Sequence, residues 1–199
     1  MFPSLPPATR ALILINVAVF LLQQVARAFM EQWFALWPLG SGLFHAWQLI
    51  TYAFLHGSLA HIFFNMFALW MFGTEIERYV GPRRLLICYF ASVVTAALTQ
   101  LLVPALFGAP PGITLGASGG VFGLLLAYAI MFPTRKIILL FPPIPMPAWL
   151  FATIFTCIEL FLGVTGTLSG ITHFAHLGGM IGSALVVMQW RWAITRKTR

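Results

Sequence analysis

Residues 116–132 read GASGGVFGLLLAYAIMF, an apolar run that opens with small residues and a serine at position 118. Prolines and a glycine at 110–112 break the chain before this run, and Pro133 stops it. A helix from Ser118 to about residue 132 is roughly 23 Å long, shorter than a hydrocarbon core of about 30 Å. A basic pair at 135–136 anchors the other end, so we expect Ser118 to lie below the outer membrane surface. Irregular backbone at that depth requires enclosure by protein or a water-filled cavity.

A second small-residue motif carries a histidine. Residues 175–179 read AHLGG, near the start of the last apolar segment. On a helix, His176, Gly179 and Ser183 fall at i, i+3 and i+7, and therefore share one face. Small faces let two helices approach closely, so we expect the His176 ring within hydrogen-bond reach of Ser118. Serine and histidine in that relation are the parts of a nucleophile and its general base.

The acidic residues offer this pair no evident third partner. The sequence contains no Asp, and its four acids are Glu31, Glu75, Glu77 and Glu159. If the chain is a serine hydrolase, the sequence therefore predicts a Ser/His dyad without an obvious carboxylate. Glu159 lies within the fifth apolar segment, where an ionisable group is costly. We interpret it as a protonated or hydrogen-bonded packing group.

Composition indicates a chain that lies in a lipid bilayer. Sixty per cent of the residues are apolar, 8% are charged, and the mean hydropathy is +0.94, whereas about a quarter of a soluble domain is charged. We expect an all-α membrane protein, a six-transmembrane helix bundle in one domain over 1–199, with a long interfacial loop between the first two helices. The six apolar segments lie at about 10–27, 57–74, 85–107, 117–133, 147–164 and 172–192.

The basic residues set the expected orientation. With both termini cytoplasmic, all 11 Lys and Arg residues except Arg27 lie on the cytoplasmic side, as the positive-inside rule requires. We interpret the net charge of +7 as a mark of topology and of contact with anionic lipid head groups. No nucleic-acid binding is expected, because the basic residues are scattered over short loops.

Two polar residues of the second segment are candidates for an oxyanion hole. His61 and Asn65 stand at i and i+4, so they project from one helical face. Both side chains donate hydrogen bonds without carrying charge. Ser118 occupies the first turn of its helix, whose free N–H groups face the space where an oxyanion would form. Alone, His61 is also consistent with an interfacial histidine near a helix start.

Taken together, these motifs resemble those of the rhomboid family of intramembrane serine proteases, in its bacterial six-helix core type. The match comprises His61-Ile-Phe-Phe-Asn65, the GASG run at 116–119, and Ala175-His176 followed by Gly179, in the family's order and in its second, fourth and sixth helices. A long loop after the first helix, with Trp47 fourteen residues before His61, is also similar.

The resemblance implies a serine endopeptidase with Ser118 as nucleophile and His176 as general base. It implies an oxyanion hole formed by His61, Asn65 and the Ser118 backbone amide. Such an enzyme hydrolyses peptide bonds in or next to transmembrane segments of membrane-protein substrates, without a cofactor. We also expect a multi-pass protein of a bacterial inner membrane with both termini cytoplasmic.

Three positions depart from the family pattern, namely Gln48, Phe122 and Ser183. Gln48 follows Trp47 where the family has an arginine, so an arginine cannot anchor the first loop at this position. Glu77 matches an acidic position and is expected to pair with one of the arginines at 78, 83 and 84. Phe122 replaces a tyrosine found in some members and keeps the ring face that stacks on the base. Ser183 replaces a glycine and remains small.

Two other functional classes are compatible with parts of the sequence. His173 and His176 form a His-x-x-His pair, with His56 and Glu159 as further conceivable ligands, but a His-Glu-x-x-His motif is absent and no metal is expected. His173 is interpreted as a loop residue near the cavity mouth. A transporter, channel or membrane chaperone, including an inactive relative of the proteases, would not require Ser118 and His176 on matching small faces.

Two uncharged stretches flank the expected route of a substrate to Ser118, at about 104–116 and 165–172. The second carries two glycines and is predicted to be a movable lid. Cys88 and Cys157 fall inside apolar segments, so a disulfide is not expected. The substrate sequence and the oligomeric state stay open.

Overall fold

The computed structural model describes residues 4–107, 112–138, 143–165 and 170–197, and most of these residues are helical. A 3₁₀ turn covers Leu39–Ser41, another covers Tyr52–Phe54, and a π-helical turn covers Leu69–Gly73. The regular elements are α1 (Pro7–Phe34), α2 (Gln48–Thr51), α3 (Leu59–Ala68), α4 (Thr74–Val80), α5 (Pro82–Phe107), α6 (Ser118–Met131), β1 (Lys136–Ile138), β2 (Pro145–Pro147), α7 (Ala148–Thr165) and α8 (Gly170–Lys197).

Four helical stretches among the described residues are long and apolar enough to cross a membrane: Pro7–Phe34, Leu59–Val80, Pro82–Val103 and Ala148–Thr165. The apolar helix α6 has only 14 residues, which agrees with the short fourth segment expected from the sequence. These helices indicate an integral membrane protein. The full count of six spans stays a prediction.

The first helix is longer than the sequence suggested. It was expected to end near Arg27, but α1 continues to Phe34. The backbone at Ala26 leaves helical geometry (φ −126°, ψ 40°) and then resumes it. The side chains of Arg27 and Glu31 form an ion pair of 2.7 Å one turn apart, within the added stretch. The connection to α3 therefore begins at Ala35, so the interfacial loop is shorter than the gap between the apolar segments at 10–27 and 57–74 suggested.

A small hairpin departs from the expected all-helical fold. Strands β1 and β2 pair antiparallel, with Lys136 opposite Pro147 and Ile138 opposite Pro145. Ile137 points into the protein and is buried. Two backbone bonds fasten the same region, from the Ala148 N–H to the Arg135 carbonyl (2.8 Å) and from the Trp149 N–H to the Pro133 carbonyl (3.1 Å). The hairpin thus joins the end of α6 to the start of α7.

Glycines bring α5, α6 and α8 into backbone contact. A Cβ atom on Gly179 of α8 would overlap the backbone of Gly119 on α6. A Cβ on Gly123 would overlap Ser92 of α5 and lie 2.8 Å from the Gly179 carbonyl oxygen. One on Gly182 would lie 2.7 Å from the carbonyl oxygen of Ala91. The small faces predicted from the sequence therefore meet one another, and any larger residue there would force the helices apart.

Glu77 closes the start of α1, and the expected pairing with an arginine is wrong. Its carboxylate accepts hydrogen bonds from the Ala8 N–H (2.9 Å), the Thr9 N–H (2.7 Å) and the Thr9 hydroxyl (2.7 Å). Those amides are among the first of α1, which have no partner within the helix. A carboxylate at a helix N-terminus also complements the helix dipole. Arg78 instead pairs with Glu75.

We predict that Glu77→Ala destabilises the fold much more than Glu75→Ala. Glu77 is buried, and its loss leaves buried amides of α1 unpaired, at a cost of about 2 kcal/mol or more. Glu75 is partly exposed in its pairs with Arg78 and Arg135, so its loss costs about 1 kcal/mol or less. The measurement is thermal unfolding of both variants in the same detergent. Equal melting temperatures for the two variants would contradict this role of Glu77.

Candidate active site

Ser118 stands where a strained turn passes into α6. Gly116, two residues earlier, has a positive φ of 125° that favours glycine. A Cβ at Gly116 would also lie 2.6 Å from the His61 ring, so both the backbone and the neighbouring side chain require glycine there. The Gly116 N–H donates to the Tyr52 carbonyl at 2.9 Å. The serine is therefore fixed at the first residue of the helix.

The hydroxyl of Ser118 lies 2.9 Å from Nε2 of His176 on α8. The His176 ring stacks on Phe122, with ring centroids 4.3 Å apart and planes inclined by 8°. Phe122 stands one turn after Ser118 on the same helix, so α6 supplies both the hydroxyl and the ring that supports its partner. The hydrogen bond and the stacking expected from the sequence are both present in the geometry. The catalytic roles of these residues stay predictions.

His61 and Asn65 lie on α3, facing the same cavity as Ser118 and His176. The Asn65 side-chain amide donates to the His61 carbonyl at 3.0 Å, and Asn65 is buried. An amide nitrogen carries two hydrogens, so one is left for an acceptor in the cavity. Ser58 caps α3 by accepting from the His61 N–H at 3.1 Å. These contacts fix the backbone at His61 and the side chain of Asn65, and the oxyanion role of both residues stays a prediction.

His56 supports the turn before Ser118 from behind. Its Nε2 accepts a long hydrogen bond, 3.5 Å, from the Ala117 N–H. Burial, and to a smaller extent the neighbouring His61, lowers the pKa of His56 to about 4. The ring is therefore neutral at pH 7 and can act as an acceptor. It lies beside the Ser118 turn, and among the described residues it is not part of the group of possible metal ligands on α7 and α8.

Glu159 of α7 reaches His176 from the other side, which the sequence analysis missed. Its Oε2 lies 2.9 Å from Nδ1 of His176 and 2.6 Å from Nδ1 of His173. The expectation of a pair without a carboxylate is therefore wrong in geometry. His173 belongs to α8 and not to a loop. Two signals could have suggested this contact: an acid within an apolar segment, and two histidines three residues apart on one helical face.

The cavity at this site is apolar except near Ser118. It has a volume of about 490 Å³, with Phe64 and Phe67 of α3 on one side and Phe151 and Phe155 of α7 on the other. The polar side chains in its wall are those of Ser118, His176, His61 and Asn65. An extended apolar chain with a single reactive peptide bond suits such a lining. Of the lid expected at 165–172, residues 166–169 lie outside the described residues, residue 165 ends α7, and residues 170–172 begin α8.

Gln48 holds the outer loop where the family pattern has an arginine. Its amide nitrogen donates to the carbonyls of Leu43 (3.0 Å) and Trp33 (3.4 Å). Its oxygen accepts from the N–H groups of Trp37 (3.3 Å) and His45 (3.2 Å). The side chain is fully buried. A neutral amide therefore ties together the two parts of the loop on either side of the turn at 39–41.

Glu159, His173 and His176 also form a group that could hold a metal ion, with their ligand atoms within 4.8 Å of one another. Ligands on a tetrahedral zinc at about 2.0–2.1 Å lie roughly 3.3 Å apart. The separations of 2.6 and 2.9 Å between Glu159 and the two histidine rings are shorter. They are the lengths of charge-assisted hydrogen bonds. The geometry thus favours hydrogen bonding over metal ligation in this arrangement.

The fold and the site together define a class: a helical membrane protein in which a serine and a histidine share a hydrogen bond beside an apolar cavity. Residues 43–192 match the family model of the Rhomboid domain. The match covers most of the chain, which therefore belongs to the rhomboid family. The sequence resemblance drawn from three short motifs is confirmed at the level of the family.

Named relatives come from fungi, plants and bacteria. Rhomboid protein 1, mitochondrial, of Saccharomyces cerevisiae is 32% identical over 189 residues, covering 94% of this chain and 53% of the yeast protein. RHOMBOID-like protein 12, mitochondrial, of Arabidopsis thaliana is 34% identical over 206 residues, covering 94% and 58%. Rhomboid protease GluP of Bacillus subtilis is 34% identical over 137 residues, covering 68% and 24%. The chain thus spans about half the length of the first two relatives and a quarter of the third.

We predict that the purified protein carries no stoichiometric zinc and keeps any hydrolytic activity in EDTA and 1,10-phenanthroline. The reason is that a metal on Nδ1 of His176 would leave a hydrogen on Nε2, facing Ser118, and so would disable the base. Metal content is measured by mass spectrometry of purified protein, before and after chelation. One zinc per chain, with activity lost on its removal, would favour a metal enzyme instead.

Proposed function

We propose that this chain is an intramembrane serine endopeptidase that cleaves peptide bonds in or next to transmembrane segments of membrane-protein substrates. The observation that supports this most directly is the 2.9 Å hydrogen bond between the Ser118 hydroxyl and Nε2 of His176 at an apolar cavity. A nucleophile and a base in hydrogen-bond reach are the minimum set for acyl transfer. Membership in the rhomboid family, with relatives named as proteases, supports the same activity.

The reaction follows from the two side chains. Nε2 of His176 takes the proton of the Ser118 hydroxyl as its oxygen forms a bond to the scissile carbonyl carbon. The carbonyl oxygen becomes an oxyanion; when it re-forms the carbonyl, the C–N bond breaks and His176 gives its proton to the leaving amine. Water then hydrolyses the acyl-serine ester by the same steps in turn. No cofactor is needed for any of these steps.

The oxyanion would lie between α6 and α3. The backbone N–H of Ser118 opens α6, where the helix dipole favours negative charge. On the facing helix, the free hydrogen of the Asn65 amide and the His61 ring supply further donors to the same cavity. Donors that are fixed before the reaction stabilise the developing charge without rearranging. Such electrostatic stabilisation is the largest contribution to catalysis in many hydrolases.

A substrate helix would reach Ser118 sideways from the bilayer, through the gap between α3 and α7 that the phenylalanines line. It must partly unwind, because an intact helix hides its carbonyls in internal hydrogen bonds. We therefore expect cleavage near the outer end of the substrate span, at a small residue, with helix-breaking residues raising the rate. The partners are thus transmembrane proteins and the bilayer itself, and no nucleic acid.

The proposed topology has six spans in a single domain over residues 1–199, with both termini cytoplasmic. The distribution of basic residues, with Arg27 alone on the outer side, supports this orientation. A bacterial inner membrane is the compartment we propose, on the strength of the compact six-helix pattern. In this topology Ser118 lies at the outer end of α6, near the external side.

Removing either member of the pair should abolish turnover. Ser118→Ala removes the nucleophile and His176→Ala removes its base. Because the two act together, we expect each variant to lose about 10⁴-fold or more in kcat. The measurement is cleavage of a transmembrane reporter by purified enzyme in proteoliposomes.

The matched controls are a serine and a histidine outside the cavity. Ser92 is buried in α5 and donates to the Cys88 carbonyl of its own helix, and His45 stacks on Trp47 in the outer loop. Ser92→Ala and His45→Ala should retain activity. Normal cleavage by Ser118→Ala or His176→Ala would show that these residues are not the nucleophile and the base. Absence of cleavage by the wild-type protein would instead favour a transporter, channel or chaperone.

Loss of an oxyanion donor should slow the enzyme without unfolding it. Asn65→Ala and His61→Ala should each lower kcat by about 100- to 1,000-fold, the usual cost of one such donor. Asn16 is the matched control, because its amide donates to the Leu12 carbonyl one turn back, as that of Asn65 does to His61. Full rates in both cavity variants, or an equal loss in Asn16→Ala, would show that this face does not meet the oxyanion.

A further inference from the structure

Glu159 is a buried carboxylate that contacts the base and has no part in the proposed two-residue mechanism. It lies on α7, and both its partners, His173 and His176, lie on one face of α8. A Cβ on Gly163, one turn further along α7, would lie 3.1 Å from the Phe174 ring, so the two helices are closely packed here. We propose that Glu159 is the positioning residue of the base, completing a Ser118–His176–Glu159 chain. This inference rests on the proposed function.

The hydrogen-bond chain fixes which nitrogen of His176 carries the proton. An ionised carboxylate can only accept, so its 2.9 Å contact requires the hydrogen on Nδ1. In the neutral ring Nε2 then has a free lone pair, and it faces the Ser118 hydroxyl at 2.9 Å. That is the tautomer a general base needs. Without the carboxylate, the ring is free to carry its proton on Nε2, where it cannot accept one from serine.

The charge of Glu159 acts at the next step. When His176 takes the serine proton it becomes an imidazolium, and an oxyanion forms on the substrate. A carboxylate bonded to Nδ1 stabilises that positive charge in a site with an apolar lining, where solvent screens little. Its side chain is about 10% exposed, and that of His176 about 13%. The group therefore acts on the ring from within the protein.

His173 orients the carboxylate. Its Nδ1 lies 2.6 Å from the same Oε2 that contacts His176, and the two rings are nearly perpendicular, at 88°. With two ring nitrogens converging on one oxygen, the carboxylate has little freedom to rotate away from His176. The 10% exposure of Glu159 leaves it few alternatives in solvent. This is the support that a positioning residue needs to hold its own geometry.

Glu159→Gln tests the charge while keeping the side-chain volume. In proteoliposomes with a transmembrane reporter, we expect kcat to fall at least tenfold and KM to stay within about twofold. In a serine protease the corresponding change of acid to amide costs about 10⁴-fold. Glu31→Gln makes the same chemical change at the ion pair with Arg27, and should leave both constants unchanged. A kcat for Glu159→Gln within twofold of the wild type would overturn the inference.

The tautomer of His176 gives a second readout. It is measured on the wild-type protein, so it does not depend on whether a Glu159 variant folds. Nitrogen NMR of wild-type protein labelled in histidine distinguishes the ring nitrogen that carries hydrogen, and His176→Gln identifies the signal. We expect hydrogen on Nδ1 and a bare Nε2 at neutral pH. Hydrogen on Nε2 would overturn the inference. Continued cleavage by Ser118→Ala would instead overturn the proposed function, so the two failures are distinguishable.

Discussion

The contact between the backbones of Gly119 and Gly179 is the constraint on which the site depends. It sets the spacing of α6 and α8 at the level of Ser118, the residue before Gly119, and of His176, one turn before Gly179. A side chain at Gly179 would overlap the backbone of Gly119 and force α6 and α8 apart. A hydrogen bond of 2.9 Å is lost when its two atoms separate by about an ångström. The small residues of α6 and α8 are thus part of the chemistry, because they determine whether the hydroxyl and the ring can meet.

Around this contact, three buried polar side chains have specific hydrogen-bonding roles. Glu77 accepts hydrogen bonds from the amides at the start of α1, and Gln48 bonds to four backbone groups of the outer loop. Glu159 is within hydrogen-bond distance of two histidine rings. Polar groups are costly in an apolar surrounding unless they are paired. Two of these residues therefore fix the ends and loops of helices, and the third reaches the base. The requirement that buried polar groups be paired thus stabilises the fold at Glu77 and Gln48 and places a carboxylate on the base at Glu159.

The local features of this protein were predictable, and the long-range pairings were not. The spacing of Gly, Ser and His along α6 and α8 predicted which faces meet, and the short α6 followed from Pro133. The partners of Glu77 and Glu159 lie on other helices, and their choice depends on how each helix is rotated. Because α7 is apolar on nearly every side, its sequence carries little periodic signal to orient Glu159. The sequence therefore flagged Glu159 as unusual but could not show that it reaches His176.

If His176 activates Ser118 as a nucleophile, a reagent that reacts covalently with activated serines should label Ser118. A fluorophosphonate reacts with activated serines and leaves an adduct that peptide mass spectrometry can locate. We expect a single adduct at Ser118 of the purified protein, absent in Ser118→Ala and much slower to form in His176→Ala. An adduct on another serine, or labelling of Ser118 that proceeds equally fast without His176, would contradict it.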